Sequence, residues 1–226
     1  MKNIINKILI KYIYNKVELV IWDLDETLFF SNKCRKFSRF VFFLLFIRNE
    51  IKNISEFVGL VDIFKEKEKK SRWFEIVSEK LGYSHHKTMK MAEKILHKHE
   101  FIDSNYNLVL YFSKSKKKHI ILTNSSSGST KKVLIKLGFT SFEDFLEIIG
   151  IDNTLSPKPS TKVLEKILDK YAVQPNRTLV IGDSIRSDIN PAKKLGIKTI
   201  LVRNSLRNIS FFSVGSINQL LEYIDE

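Results

Sequence analysis

Short apolar runs that alternate with helical patterns are the feature that most restricts the fold of this chain. Five such runs predict buried strands, at residues 18–22, 119–122, 145–151, 178–181 and 198–202. Between the later runs and after the last one, apolar residues recur at helical spacing, at residues 129–137, 160–171, 188–195 and 216–224. Strands that alternate with helices predict the α/β class, with a doubly wound parallel sheet covered on both faces.

The first two predicted strands are separated by more than eighty residues, far more than a crossover in a compact unit requires. This segment has helical patterns of its own, at residues 34–48, 55–70, 71–81, 85–99 and 105–115. We therefore predict a helical cap at residues 29–112, inserted into a core that residues 17–28 and 113–226 form together.

The composition bears on the cellular location of the chain, on membrane spanning and on the charge of its partner. Cys34 is the single cysteine, so no intrachain disulfide can form and a cytoplasmic location is expected. The longest apolar run, residues 40–47, is too short for a transmembrane helix, which needs about 20 residues. The net charge of +13 favours an anionic partner, but the lysines are scattered over several predicted helices. The charge is therefore weak evidence for a phosphorylated substrate, nucleic acid or an acidic surface, and the scatter of the lysines makes nucleic acid the less expected of these.

Residues 1–16 combine apolar residues at helical spacing with Lys2, Lys7, Lys11 and Lys16. These lysines interrupt the apolar run that a signal peptide needs. The pattern predicts a basic amphipathic helix that either packs on its own domain or makes peripheral contact with a membrane. Packing is the expected role, because amphipathic helices are common in soluble proteins.

Two carboxylates follow the first predicted strand, in the sequence Asp-Leu-Asp-Glu-Thr at residues 23–27. Residues two apart on an extended chain point to the same side, so Asp23 and Asp25 are expected to lie together. Two carboxylates held close together need either a bound cation or a proton on one of them. The alternative interpretation is that Asp23 and Asp25 are simply two solvated acids at the end of a strand. A metal would keep Asp23 ionised as a nucleophile, and a protonatable Asp25 could serve first as an acid and then as a base.

Thr123 and Asn124 end the second predicted strand, and residues 125–129 are serines and a glycine that open a helix. A hydroxyl, an amide and free backbone N–H groups at a helix N-terminus suit a phosphate, although such clusters are also common in simple turns. The segment is not a Walker loop, because it lacks the Gly-Lys-Ser/Thr ending.

Lys158 lies between two prolines that hold its backbone extended, so it either stabilises a phosphorylated carboxylate or is a surface lysine. Asp183 follows the fourth predicted strand within Gly-Asp-Ser, and Asp188 begins the next helix, which fits a capped turn or a metal site. All of these polar residues come just after the carboxyl ends of strands, where open parallel sheets bind ligands.

In this order the motifs resemble those of the haloacid dehalogenase superfamily, which are DxDxT, a strand ending in Ser or Thr, a Lys, and GDxxxxD. The chain has them as residues 23–27, Thr123, Lys158 and residues 182–188. The resemblance covers residues 17–203 and implies a Rossmann-like core with a helical cap of the C1 type. It also implies a phosphatase that uses Mg2+ to hydrolyse a small phosphomonoester through an aspartyl phosphate.

The same resemblance implies a role for each matched residue. Asp23 is the implied nucleophile and Asp25 the implied acid and base. The implied phosphate-binding residues are Thr123, Asn124 and Lys158. The implied Mg2+ ligands are Asp23, Asp183 and the backbone carbonyl of Asp25, while Asp188 reaches the metal through water. An oxygen-only donor set favours a hard cation such as Mg2+ on independent grounds.

Asp25 sets the chain apart from the dehalogenating branch of the superfamily, which lacks an acid at that place, and it points to phosphoryl chemistry. A phosphomutase with the same core residues is a rival, because it differs mainly in a cap that excludes water. A basic membrane- or nucleic-acid-associated protein is a further alternative. In the superfamily the cap selects the substrate, so a sugar phosphate, a phosphoglycolate-like acid and a nucleoside monophosphate all fit the sequence.

Overall fold

The computed structural model describes residues 2–31, 98–202 and 212–224, together with the single positions 82, 84, 87 and 93. The chain divides into two compact units, one of Met1–Ser31 with Ile102–Glu226 and the other of Asn32–Phe101. In the second unit the structure describes a 3-10 turn at Lys98–Phe101. The cap helices predicted at residues 34–48, 55–70 and 71–81, and most of the one at 85–99, lie outside the described residues.

The first unit contains a sheet of six parallel strands in the order β3-β2-β1-β4-β5-β6. The strands are β1 (Leu19–Trp22), β2 (Lys118–Leu122), β3 (Glu147–Ile149), β4 (Thr178–Gly182), β5 (Lys198–Val202) and β6 (Ser213–Val214). The five predicted strands and the Rossmann-like parallel sheet are confirmed, and the observed strand order is that of a doubly wound fold. The sequence did not predict β6, because its two residues form no apolar run of their own.

The central strand β1 is apolar throughout, and all four of its residues are buried. Val20 and Trp22 pack into the core on one face of the sheet, whereas Leu19 and Ile21 pack into the core on the other face. A strand that is covered on both faces needs apolar residues at every position, since alternate side chains point to opposite sides. The doubly wound arrangement is therefore visible in β1 alone.

Six α-helices are described around this sheet. They are α1 (Lys2–Asn15), α2 (Tyr106–Lys114), α3 (Ser127–Leu137), α4 (Lys162–Tyr171), α5 (Asn190–Lys194) and α6 (Ile217–Ile224). The single helix predicted at residues 188–195 is instead a π-helical turn at Ile185–Ile189 followed by α5. The turn begins early because the Ser184 side chain accepts a hydrogen bond from the backbone N–H of Ser187 and so caps it.

The predicted core boundaries differ from the two units of the structure. Residues 1–16, 29–31 and 102–112 all belong to the first unit, although the sequence placed them outside the core. The reason is burial, since α1 contributes Ile10 and Tyr14 to the core and α2 contributes Leu108 and Phe112. No helix in the described part of the chain has the length and apolarity needed to cross a bilayer.

Candidate active site

The candidate site lies where the winding of the sheet reverses. The central strand β1 pairs with β2 on one side and with β4 on the other. Thr123, Asp23 and Asp183 each follow the last residue of one of these three strands. In open parallel sheets the crevice outside such carboxyl ends is the usual place for a ligand. The fold therefore brings together residues that are far apart in the sequence.

A buried lysine joins two of the predicted carboxylates. The Lys158 Nζ donates to Asp23 Oδ1 at 2.6 Å and to Asp188 Oδ1 at 2.7 Å. All three side chains are less than 10% exposed. Hydrogen bonds to a charged group in a buried setting are stronger than those in water. Lys158 is thus held as part of the site and is not a surface lysine.

The other carboxylate oxygen of Asp23 has a donor of its own, because Thr27 Oγ1 donates to Asp23 Oδ2 at 2.7 Å. Thr27 is brought back to Asp23 by a turn in which the Leu28 N–H donates to the Leu24 carbonyl at 3.0 Å. Glu26 occupies the left-handed region in this turn, with φ 61°. Both oxygens of Asp23 are therefore oriented by donors within the protein.

Three carboxylates meet at this edge of the sheet. Asp23, Asp183 and Asp188 each offer one oxygen, and these three atoms lie within 4.8 Å of one another. When all three acids are ionised, Lys158 supplies one positive charge against their three negative ones. An all-oxygen donor set with excess negative charge is the chemistry that suits Mg2+ or Ca2+. The residues present therefore fit a hard divalent cation.

The pKa values of these acids are raised mainly by burial, and the neighbouring charges modify them further. Burial raises the pKa of Asp23 to about 6, with Lys158 opposing the rise and Asp188 adding to it. Burial likewise raises the pKa of Asp183 to about 8, and the charges of Asp23 and Asp188 add to the effect. Burial alone would lower the pKa of Lys158, but the attraction of Asp188 and Asp23 outweighs it and raises the value. A bound cation would favour the ionised carboxylates.

Asp25 has different surroundings from Asp23. Its Oδ2 accepts a hydrogen bond of 2.7 Å from Ser125 Oγ, and Ser125 is buried. The two acids of the first motif are thus oriented by different groups, Asp23 by Lys158 and Thr27, and Asp25 by Ser125. Such a division suits two acids that have separate tasks in one reaction.

Asn124 is engaged with the backbone of the loop that carries Lys158. Its side-chain amide donates to the Lys158 carbonyl at 2.9 Å, and its side-chain carbonyl accepts from the Lys158 N–H at 3.1 Å. This pair of hydrogen bonds favours a positioning role for Asn124. The neighbouring Thr123 is buried, and its hydroxyl accepts from the Ser125 N–H at 3.1 Å.

The N-terminus of α3, where the sequence suggested a phosphate, already contacts a carboxylate of the chain. Asp152 accepts from the Ser127 N–H through Oδ1 and from Ser127 Oγ through Oδ2, both at 2.7 Å. The Ser126 side chain caps the same helix by accepting from the Ser129 N–H. Asp152 therefore meets the positive end of the helix dipole from within the protein.

Three contributors to the site were not assigned as site residues from the sequence. Thr27 and Ser125 orient the two acids of the first motif, and Gly182 ends β4 directly against the Asp188 side chain. Thr27 belongs to the DxDxT pattern and Gly182 begins the GDxxxxD pattern, so these motifs could have identified both as site residues. No pattern in the sequence singled out Ser125, because a run of serines does not reveal which hydroxyl faces Asp25.

Comparisons with known proteins show the family of the chain. Residues 20–202 match the family described as haloacid dehalogenase-like hydrolase. A glyceraldehyde 3-phosphate phosphatase of Methanothermobacter thermautotrophicus is 28% identical over 86 residues, which cover 38% of this chain and 37% of that one. A phosphoglycolate phosphatase of Vibrio vulnificus is 32% identical over 76 residues, which cover 34% and 32% of the two chains. The matched segments thus span about a third of each relative.

A solved structure extends the likeness over nearly the whole chain. The HAD-hydrolase YfnB of Bacillus subtilis, bound to magnesium, aligns with a TM-score of 0.61. The alignment covers 93% of this chain and 99% of that one, at 19% sequence identity. An identity this low establishes a shared fold and no more.

Proposed function

Because the chain belongs to the haloacid dehalogenase-like hydrolase family, we propose that it is a phosphatase that acts on a small phosphomonoester through an aspartyl phosphate. The observation that carries the proposal is the environment of Asp23. It is buried at the carboxyl end of the central strand, hydrogen-bonded to Lys158 and Thr27, and close to Asp183 and Asp188. With a pKa of about 6, its carboxylate is mostly ionised at neutral pH and can act as a nucleophile.

In the first proposed step, a carboxylate oxygen of Asp23 attacks the phosphorus of the substrate, and the bond between phosphorus and the leaving oxygen breaks. Asp25 gives its proton to the leaving oxygen, which departs as an alcohol. Lys158 offsets the negative charge that collects around Asp23 and the phosphoryl group, since its ammonium already lies 2.6 Å from Asp23. The step ends with an acyl phosphate on Asp23 and an ionised Asp25.

In the second proposed step, Asp25 accepts a proton from a water molecule while the water oxygen attacks the phosphorus. The bond between phosphorus and the Asp23 oxygen breaks, which releases inorganic phosphate and restores both acids. The hydrogen bond from Ser125 holds Asp25 in one orientation during both proton transfers. Water is the only co-reactant that the cycle needs.

We propose Asp23, Asp183 and the backbone carbonyl of Asp25 as the residues that hold Mg2+, with Asp188 as a further partner through water. When bound, the cation neutralises charge on the phosphoryl oxygens and lets a carboxylate approach a dianionic ester. The cluster of three carboxylate oxygens within 4.8 Å supports this assignment. The neighbour of the same fold from Bacillus subtilis was solved with magnesium, so Mg2+ is the cation to assay first.

The names of the relatives point to a starting set of substrates. Both glyceraldehyde 3-phosphate and phosphoglycolate are short acyclic phosphomonoesters. We propose esters of this size as the first to assay, with sugar phosphates and nucleoside monophosphates beside them. A phosphomutase would move the phosphoryl group between positions of one sugar and release little inorganic phosphate.

The experiment that tests the proposal measures phosphate release across this panel with Mg2+ and with a chelator, for the wild type and for Asp23→Asn. We expect release that depends on Mg2+ and is absent in Asp23→Asn. Mass spectrometry of acid-quenched wild-type protein should find the added phosphate on the peptide that contains Asp23. Turnover by folded Asp23→Asn, or phosphate on another residue, would contradict the mechanism.

A further inference from the structure

The helix α1 uses one face to pack on the rest of its unit. Ile10 is fully buried and Tyr14 is 5% exposed, both within the core. The Asn6 side chain on the same side donates to the Ser213 carbonyl at 2.7 Å, and Lys7 lies over the ring of Tyr223 at 5.8 Å. The packing that the sequence predicted for this helix is therefore accounted for by this face.

The opposite face of α1 is apolar as well, but it is exposed. Its five large side chains, which we call the outer face, are between 41% and 65% exposed: Ile4, Ile5, Ile8, Leu9 and Tyr12. Ile4, Ile8 and Tyr12 follow one another at intervals of four, and Ile5 and Leu9 form the next row, so the five are contiguous. A contiguous apolar patch on a helix marks an interaction surface.

The charges around the outer face indicate the kind of partner. Lys11 borders it, three residues after Ile8, and Lys16 stacks over the Tyr12 ring at 4.2 Å. Residues 1–16 contain no aspartate or glutamate. A second copy docked on this face would bring lysines together with no acid on α1 to pair them. An anionic surface would instead be attracted by every charge that borders the face.

We propose that α1 docks the protein on anionic lipid membranes. The helix lies in the plane of the interface, with its outer face inserted about 5–10 Å and the ammonium groups of Lys11 and Lys16 at the level of the lipid headgroups. The inner face stays on the protein core, so docking requires no unfolding of α1. The two faces of one helix thus serve two different contacts, one inside the protein and one with the membrane.

The test is sedimentation of the full-length protein with vesicles made of equal parts phosphatidylserine and phosphatidylcholine, beside vesicles of phosphatidylcholine alone. We expect binding to the anionic vesicles that falls sharply as salt is raised to about 0.5 M, where charges are screened over a few ångströms. Ile8→Ser should lower binding about tenfold, because it removes one inserted side chain. The double variant Ile5→Ser/Ile8→Ser should lower it further.

Ile135→Ser is the matched control, since Ile135 is 59% exposed and Ile8 is 62% exposed, but Ile135 lies on α3. We expect it to bind vesicles as the wild type does. No sedimentation with anionic vesicles, or equal and salt-independent binding to both kinds, would overturn the proposal. So would an equal loss in Ile135→Ser, or a dimer in solution that Ile8→Ser dissociates. Unchanged near-ultraviolet circular dichroism will show that each variant is folded.

Discussion

Gly182 and Asp188 are packed so closely that a β carbon at Gly182 would lie 2.5 Å from Asp188 Cγ. The contact holds the Asp188 carboxylate where its Oδ1 meets Lys158 and its Oδ2 accepts from the Ser184 N–H at 3.0 Å. A glycine at the end of β4 is therefore a requirement of the acidic cluster. It is needed for the space that it leaves and not for a special backbone conformation.

Gly182→Ala should destabilise the protein by about 1–3 kcal/mol, because the new methyl group must displace Asp188 or the backbone. It should also weaken metal-dependent turnover, since Asp188 would leave Lys158. Gly128→Ala is the matched control, because a β carbon there meets no atom within 4 Å and the residue lies in α3. We expect that control to raise the free energy of unfolding by up to about 1 kcal/mol. Urea unfolding of both variants checks this, and equal destabilisation would contradict the steric explanation.

Asp25→Asn should slow turnover by about 10²–10⁴-fold, which is the usual contribution of general acid-base catalysis to the rate. Ser125→Ala should cause a smaller loss, about tenfold, because it removes one hydrogen bond that orients Asp25. With an aryl phosphate whose leaving group needs no proton, both variants should accumulate phosphoenzyme, visible as a burst in rapid-quench kinetics. Ser127→Ala is the control, since its hydroxyl bonds to Asp152 instead. A wild-type rate and burst for Ser125→Ala would remove Ser125 from the mechanism.

Asp183→Asn should raise the stability of the metal-free protein and abolish the stabilisation by Mg2+. In the metal-free fold the pKa of Asp183 is about 8, against 3.8 for an unperturbed aspartate. Between these values the folded state binds more protons than the unfolded state, so wild-type stability falls as pH rises from 3.8 towards 8. Thermal unfolding with a chelator, at acidic and at mildly basic pH, should show a smaller fall in Asp183→Asn.

The exposed Asp169 offers the matched control for that experiment, and Asp169→Asn should behave as the wild type does. Mg2+ should raise the melting temperature of the wild type and of this control by the same amount. An undiminished rise in Asp183→Asn would show that the cation binds elsewhere.

His119 should make the protein lose stability in acid. Trp22 Nε1 donates to His119 Nδ1 at 3.1 Å, so this nitrogen must be unprotonated, and burial lowers the pKa of His119 to about 3. Between pH 6.5 and about 3 the unfolded state binds the extra proton, so stability falls as pH falls through this window, by about 1.4 kcal/mol per unit. His119→Asn keeps an acceptor but cannot titrate, and its unfolding free energy should show a shallower slope. A slope equal to that of the wild type would assign the effect to other groups.

The strands and the order of the motifs were predictable because they depend on local patterns. An apolar run such as β1 has few alternatives in a chain of this kind, and the acids placed after it fall at the sheet edge. The pairings across the site were not predictable from the residues. Asn124 and Ser125 are neighbours in sequence, yet one binds the Lys158 backbone and the other Asp25. The hydrogen-bond partner of each polar side chain depends on the conformation of its loop, which a pattern of apolar residues does not predict.

The helix α1 likewise combines a predictable element with contacts that the sequence did not predict. Apolar residues at helical spacing predicted the helix, but the sequence could not say which contact they make. Ile10 and Tyr14 face the core, whereas Ile4 and Ile8 face outwards, so the helix is apolar on two sides. Only the packing of α1 in the folded unit shows which apolar residues remain exposed.

The position of β1 at the centre of the sheet has a consequence for synthesis on the ribosome. Leu19 pairs with Lys118 of β2 and with Thr178 of β4, so the second partner is made 159 residues later. At about 10 residues per second, roughly 16 s pass before both neighbours of β1 exist. Each doubling of the intervening length costs only about 0.6 kcal/mol in loop-closure free energy. Contacts between residues far apart in the sequence have a larger effect on the folding rate, which they lower. A change in the length of the insertion between β1 and β2 therefore changes the entropy of loop closure only a little. Its larger effect is on the time for which the fully apolar strand β1 is without its partners during synthesis.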